Sequence, residues 1–157
     1  MEKQSLPLEG GCQCRALRYE ISAPPLMLYC CHCTNCQKIT GSAFVVSATL
    51  DEGSFSFVKG TPMKTTWVSD SGKNRYGLFC TDCGVRILHG QEPSSGTVSI
   101  RSGSLDDTSW IKPSGHIWTR SAQSWVRFGA DEIICEIQPT DYTPFLQHFQ
   151  QQAVFVR

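Results

Sequence analysis

Seven of the nine cysteines fall into three short clusters: Cys12-Gln13-Cys14, Cys31-His32-Cys33-Thr34-Asn35-Cys36 and Cys80-Thr81-Asp82-Cys83. Ligands two or three residues apart can converge on one ion from a single tight turn. Two pairs make four thiolates, Cys12, Cys14, Cys80 and Cys83, which closes a tetrahedral zinc site of the structural kind. The middle cluster offers three, Cys31, Cys33 and Cys36, which leaves a coordination position open for chemistry. The expectation is two zinc ions per chain, one structural and one labile.

The two sites differ in charge. Four thiolates on Zn²⁺ leave a net charge of minus two and no vacancy, whereas three leave minus one and room for a water or an incoming thiol. A free thiol has a pKa of about 8.5 and is mostly protonated at neutral pH; coordination removes that proton. A substrate sulfur activated in this way could attack a small electrophile. The alternative is a second structural zinc whose fourth ligand is Cys30, His32, His89 or His116. His32 lies between two ligands and is expected to point away from the ion. Gly84, directly after Cys83, can take the positive φ that lets the backbone turn past the sulfurs.

The elements that must hold these clusters read as short strands. Leu17, Tyr19 and Ile21 alternate with polar residues, as do Phe44, Val46, Ala48 and Leu50, then Phe55 and Phe57, Val85 and Ile87, Val98 and Ile100, and Ile133, Cys135 and Ile137. Turn signals separate them at Ala23-Pro24-Pro25, Asp51-Glu52-Gly53, Ser69-Asp70-Ser71-Gly72 and Pro93-Ser94-Ser95-Gly96. The pattern predicts a mainly β, antiparallel domain. Helix is expected only over Cys33 to Thr40 and after Thr143-Pro144, with Thr143 as N-cap and Pro144 at the first helical position.

At 157 residues, one domain spanning 1–157 is expected. Lys+Arg and Asp+Glu are 14 each, so the formal charge is zero and there is no excess of cations to drive nucleic-acid binding. Residues 1–11 lack the apolar core of a secretory signal. No apolar run approaches the ~20 residues of a membrane span. A soluble, cytoplasmic protein is expected, in which an odd number of cysteines favours metal over disulfides. Cys30 and Cys135 are read as buried packing residues.

Around the open cluster, Ser42 could bond a substrate and Phe44 could wall it. Gln37 and Lys38 could meet a carboxylate. Trp110, Trp118 and Trp125 with Arg120 and Arg127 form an aromatic–basic stretch, read as a sheet face with rim charges.

With these residues in view, the chain resembles the glutathione-dependent formaldehyde-activating enzyme (Gfa) and centromere-protein-V-like family. The matching pieces are Gly10-Gly11-Cys12-Gln13-Cys14, Cys31-His32-Cys33-Thr34-Asn35-Cys36-Gln37-Lys38, Thr40-Gly41-Ser42-Ala43-Phe44, Phe79-Cys80-Thr81-Asp82-Cys83-Gly84, and Trp110-Ile111-Lys112-Pro113 running into His116-Ile117-Trp118. The resemblance implies an Mss4-like fold of twisted antiparallel sheets meeting as a β-tent around the closed zinc, with short helices. It implies that Cys12, Cys14, Cys80 and Cys83 hold the structural ion and that Cys31, Cys33 and Cys36 match the catalytic one. It also implies a carbon–sulfur lyase acting on glutathione and formaldehyde. Cys30 lies outside the family motif.

Two other functions fit parts of the pattern. An Mss4-like interaction module that binds small GTPases needs only the closed zinc. A thiol or zinc redox sensor would exchange the ion for disulfides among Cys30, Cys31, Cys33 and Cys36.

Overall fold

A computed structural model describes residues 4–69 and 72–155 of the chain. Asp70 and Ser71 of the expected fourth turn lie outside the described residues; Ser69 beside them bonds to Lys73 and Gly72 through the backbone. The strands are β1 (Leu8–Gly11), β2 (Arg18–Ile21), β3 (Met27–Cys31), β4 (Val45–Asp51), β5 (Phe55–Lys59), β6 (Met63–Val68), β7 (Asn74–Phe79), β8 (Arg86–Glu92), β9 (Thr97–Arg101), β10 (Gly115–Ile117) and β11 (Ile133–Ile134). The helices are α1 (Thr34–Thr40) and α2 (Thr143–Gln151).

Two twisted sheets result. The smaller has the order β1-β2-β5 and the larger β11-β10-β3-β4-β9-β8-β7-β6. The expected antiparallel pairing holds from β3 to β6, whereas β10 runs parallel to both β3 and β11. These parallel ladders are short, three and two residues of strand, and the long connection after β9 supplies the crossover that parallel pairing needs. Tyr19 and Ile21 of β2 are fully buried, as are Leu28, Ala48, Leu50 and Ile100 of the large sheet. At roughly 25 cal/mol per Å² of apolar area, each buried leucine or isoleucine among them contributes about 1.5–3 kcal/mol.

β3 shows why one strand escapes an alternation test. All five of its residues, Met27-Leu28-Tyr29-Cys30-Cys31, are buried, so neither face is polar. α2 lies over β3 and brings Tyr142 to 6.5 Å from Tyr29, ring centroid to centroid. The α2 N-cap is Tyr142, one residue earlier than expected; Pro144 still sits in the first turn, and Asp141 Oδ1 accepts the Thr143 N–H at 2.8 Å. Ile133 and Ile134 form β11, but Cys135 and Ile137 lie beyond it.

Candidate metal centres

The loop after β1 folds back on itself. Leu17 O accepts the Cys12 N–H and Cys12 O accepts the Arg15 N–H, with Arg15 at φ 63° completing the turn. The loop after β7 does the same: Val85 O accepts from Cys80, Cys80 O accepts from Gly84, and Gly84 sits at φ 74°. The two turns face each other. Cys12, Cys14, Cys80 and Cys83 place four Sγ atoms within 4.8 Å of one another. Cys12 and Cys14 Sγ are 3.5 Å apart and Cys14 and Cys80 Sγ are 3.7 Å apart. A tetrahedron with zinc–sulfur bonds of about 2.3 Å has edges of about 3.8 Å, so the spacing fits a four-thiolate zinc.

Backbone donors complete the fit. The Leu17 N–H points at Cys12 Sγ at 3.2 Å. The N–H groups of Cys14 and Val85 lower the Cys83 thiol to about 6. Donors of this kind stabilise thiolates and orient them before the ion arrives.

The second cluster sits where β3 ends and α1 begins. Cys31 closes the strand, Cys33 is the helix N-cap, and Cys36 lies in the first turn. The Cys36 N–H donates to Cys33 Sγ at 3.4 Å. The three Sγ atoms lie within 4.8 Å of one another, and no His, Asp or Glu joins them among the described residues. The Cys33 thiol is held well below its usual range by hydrogen bonds from Cys31 and Cys36, helped by the backbone N–H groups of Cys36 and Asn35. Cys31 is pushed up in turn, chiefly by its bond to Cys33. The donor set fits a zinc ion with three protein ligands.

The four residues considered as a fourth ligand go elsewhere. His32 is fully buried and its Nε2 meets His116 Nδ1 at 2.8 Å. His116 Nε2 faces Glu132 at 3.2 Å. His89 Nδ1 is buried without a partner and belongs to neither cysteine cluster. Cys30 is buried, and its side chain leaves the face of β3 opposite that of its neighbour Cys31; burial raises its thiol to about 12. Cys135 is half-buried against the core.

Other candidate residues are dispersed. Gln37 Nε2 donates to the carbonyls of His32 and Ser121, both at 2.8 Å. Gln37, Lys38 and Ser42 line an open surface cleft of ≈ 570 Å³ that also includes Trp125. Phe44 packs on His32, with ring centroids 5.0 Å apart. The aromatic–basic stretch is not one sheet face: Trp110 is in the core, Trp118 is covered by Arg120 at 4.9 Å, and Trp125 is exposed in a loop. The segment is mostly loop because the only strand it reaches, β10, is three residues long.

A larger cleft of ≈ 620 Å³ lies between the four-cysteine centre and the C-terminal end of α1. Arg86 and Arg101 line it, together with Ile39, Thr40 and Asp106. These arginines carry no sequence signal, because the sheet register alone brings them together.

Among the described residues, no helix is long and apolar enough to cross a membrane. A crystal structure of a Rhodobacter sphaeroides protein is similar to this chain, with a TM-score of 0.51 and 19% identity, covering 68% of this chain and 92% of that one. The likeness bears on the fold. The model of the glutathione-dependent formaldehyde-activating enzyme family matches residues 7–121.

Proposed function

The chain belongs to that family, and from this premise we propose that it is a zinc-dependent carbon–sulfur lyase. It forms and releases the adduct of a small aldehyde with a thiol of the glutathione type. Support comes from one observation above all: Cys31, Cys33 and Cys36 converge within 4.8 Å without a fourth protein ligand among the described residues. In this reading they hold a labile zinc, and Cys12, Cys14, Cys80 and Cys83 hold a structural one.

A zinc ion at the three-cysteine centre supplies Lewis acidity and a means of deprotonating a bound thiol at neutral pH. The chain itself supplies the rest. The α1 N-terminus, carrying Cys33 and Cys36, favours negative charge at the cluster. Burial of Cys31 keeps bulk water from one side. Ser42 and Phe44 are proposed as substrate contacts. In the reaction, a carbon–sulfur bond forms as the carbonyl π bond breaks, and the thiol proton ends on the former carbonyl oxygen. No oxidant or reductant is required.

The redox-sensor alternative is less well supported, because Cys30 faces away from Cys31. Exchange NMR with glutathione and formaldehyde tests the proposal. Acceleration above the protein-free rate is expected, and an unchanged rate with both zinc sites loaded would remove it.

A further inference from the structure

Arg101 is 9% exposed, and its Nε and Nη1 are buried with no hydrogen-bond partner. A buried guanidinium without a partner is costly, since it has lost its water and gained nothing. Its place follows from register. Tyr29 pairs with Ser47, and Ser47 pairs with Arg101, so all three project from one face of the large sheet. Cys31, two residues beyond Tyr29, projects from that face as well.

Arg86 arrives on the same face by a different device. The β7–β8 register shifts at Leu78/Phe79, setting Arg86 opposite Phe79. Its guanidinium then lies over Gly77, where a Cβ would come within 2.8 Å of Cζ, and stacks on Trp67 at 5.0 Å. Both arginines line the ≈ 620 Å³ cleft, and both are within Coulombic reach of Cys36. Thr40, also in the lining, ties the cleft to the cluster by donating from Oγ1 to Cys36 O at 2.8 Å.

Among the described residues neither arginine has an ion-pair partner, and the carboxylate lining the cleft, Asp106, is held by Arg18. The buried Nε and Nη1 of Arg101 leave donors in the cleft for an acceptor such as a carboxylate.

We propose that Arg101 and Arg86 form a carboxylate-binding subsite, holding an acid group of the reacting partner while its sulfur or carbonyl carbon reaches Cys31, Cys33 and Cys36. This rests on the function proposed above. The cleft volume lies within the usual range for small-molecule sites and suits a ligand of tripeptide size. Arginine is the side chain suited to planar carboxylates. The acid is assigned to the thiol partner.

The test is calorimetric titration of the zinc-loaded protein with S-methylglutathione, which keeps both carboxylates and has no free thiol, and with its diethyl ester. The acid should bind about tenfold to a hundredfold more tightly than the ester, as expected for losing hydrogen bonds to a charged group. Arg101→Gln and Arg86→Gln should each remove most of that difference, and Arg101→Lys should restore part. If Arg101→Gln does not fold, Arg86→Gln, on the half-buried residue, decides alone. Glyoxylate is the second probe. Arginine-dependent binding of glyoxylate but not of S-methylglutathione keeps the subsite and moves the acid to the carbonyl partner. Equal binding of acid and ester with no arginine-dependent glyoxylate binding overturns the subsite. So does a zinc content that falls in Arg101→Gln while the acid/ester ratio holds, since the arginine is then only a counter-charge. Turnover is read separately: no acceleration with arginine-dependent binding removes the proposed reaction alone, and acceleration without acid/ester discrimination removes the subsite alone.

Discussion

His32 Nε2 and His116 Nδ1 meet at 2.8 Å, and Glu132 receives the other end of the pair at 3.2 Å from His116 Nε2. The carboxylate accepts from His116 Nε2–H, which makes His116 Nδ1 the acceptor for His32 Nε2–H. His32 Nδ1 is then left bare and buried. Phe44 and Phe128 pack on the pair. This is an orienting chain behind the three-cysteine turn, and it explains why the histidine between Cys31 and Cys33 does not join their cluster.

His116→Leu leaves His32 Nε2 without its acceptor. Stability should fall by about 1–3 kcal/mol, the cost of a buried unsatisfied group. Urea unfolding checks this, and metal analysis on the same sample should still find the four-cysteine ion.

Burial lowers His32 to about 4 and His89 to about 3, with His116 the smaller influence on the first and Arg101 on the second. An unfolded histidine titrates near 6.5. Between those values the unfolded chain binds more protons, so stability rises with pH. The contribution is complete above about pH 6.5 and is lost as pH falls through the folded values. His32→Gln should flatten the slope of unfolding free energy between pH 6 and 4.5 by up to about 1.4 kcal/mol per pH unit at matched zinc loading. Equal slopes in the two proteins would contradict the buried neutral state.

Cys33→Ser removes one thiol of the three-cysteine cluster and exchanges the N-cap acceptor of α1 for a hydroxyl. On the two-zinc reading, zinc content should fall by one ion per chain, with acceleration of the thiol–aldehyde reaction falling to the protein-free rate. The helix cap changes little, because serine also accepts the Cys36 N–H. A thermal melt should therefore stay within a few degrees of wild type.

Cys80→Ser acts on the other ion. The midpoint of thermal unfolding should drop by more than about 10 °C, since metal binding at such a site is folding free energy. Circular dichroism melts with and without a chelator measure it, and the chelator should add little once the ligand is gone.

The cysteine clusters were legible because the thiols that converge are neighbours in sequence. Cys31, Cys33 and Cys36 need only one turn, and Cys12/Cys14 and Cys80/Cys83 need one each. The strand at Leu17–Ile21 was equally plain, since one of its faces is polar. β3 was not, because burial of both faces erases alternation, and β6 and β7 were not, because Lys64, Thr65, Thr66, Asn74 and Arg75 leave too little apolar pattern. Arrangements set by register were invisible: the contact of His32 with His116, and the shared cleft of Arg86 and Arg101. Nothing in local spacing marks pairs that only a sheet brings together.

Cys14 and Cys80 are 66 positions apart and their sulfurs 3.7 Å apart. An ion there joins two turns that only the folded chain brings together. By the loop-closure relation used for disulfides, closing a loop of that length costs the free chain about 4 kcal/mol of entropy at 25 °C, which the ion's bonds offset. Unlike a disulfide, such a tie needs no oxidant to form and opens to acid or a chelator. Closure of that loop is thereby set by metal supply, and a reducing environment leaves it untouched.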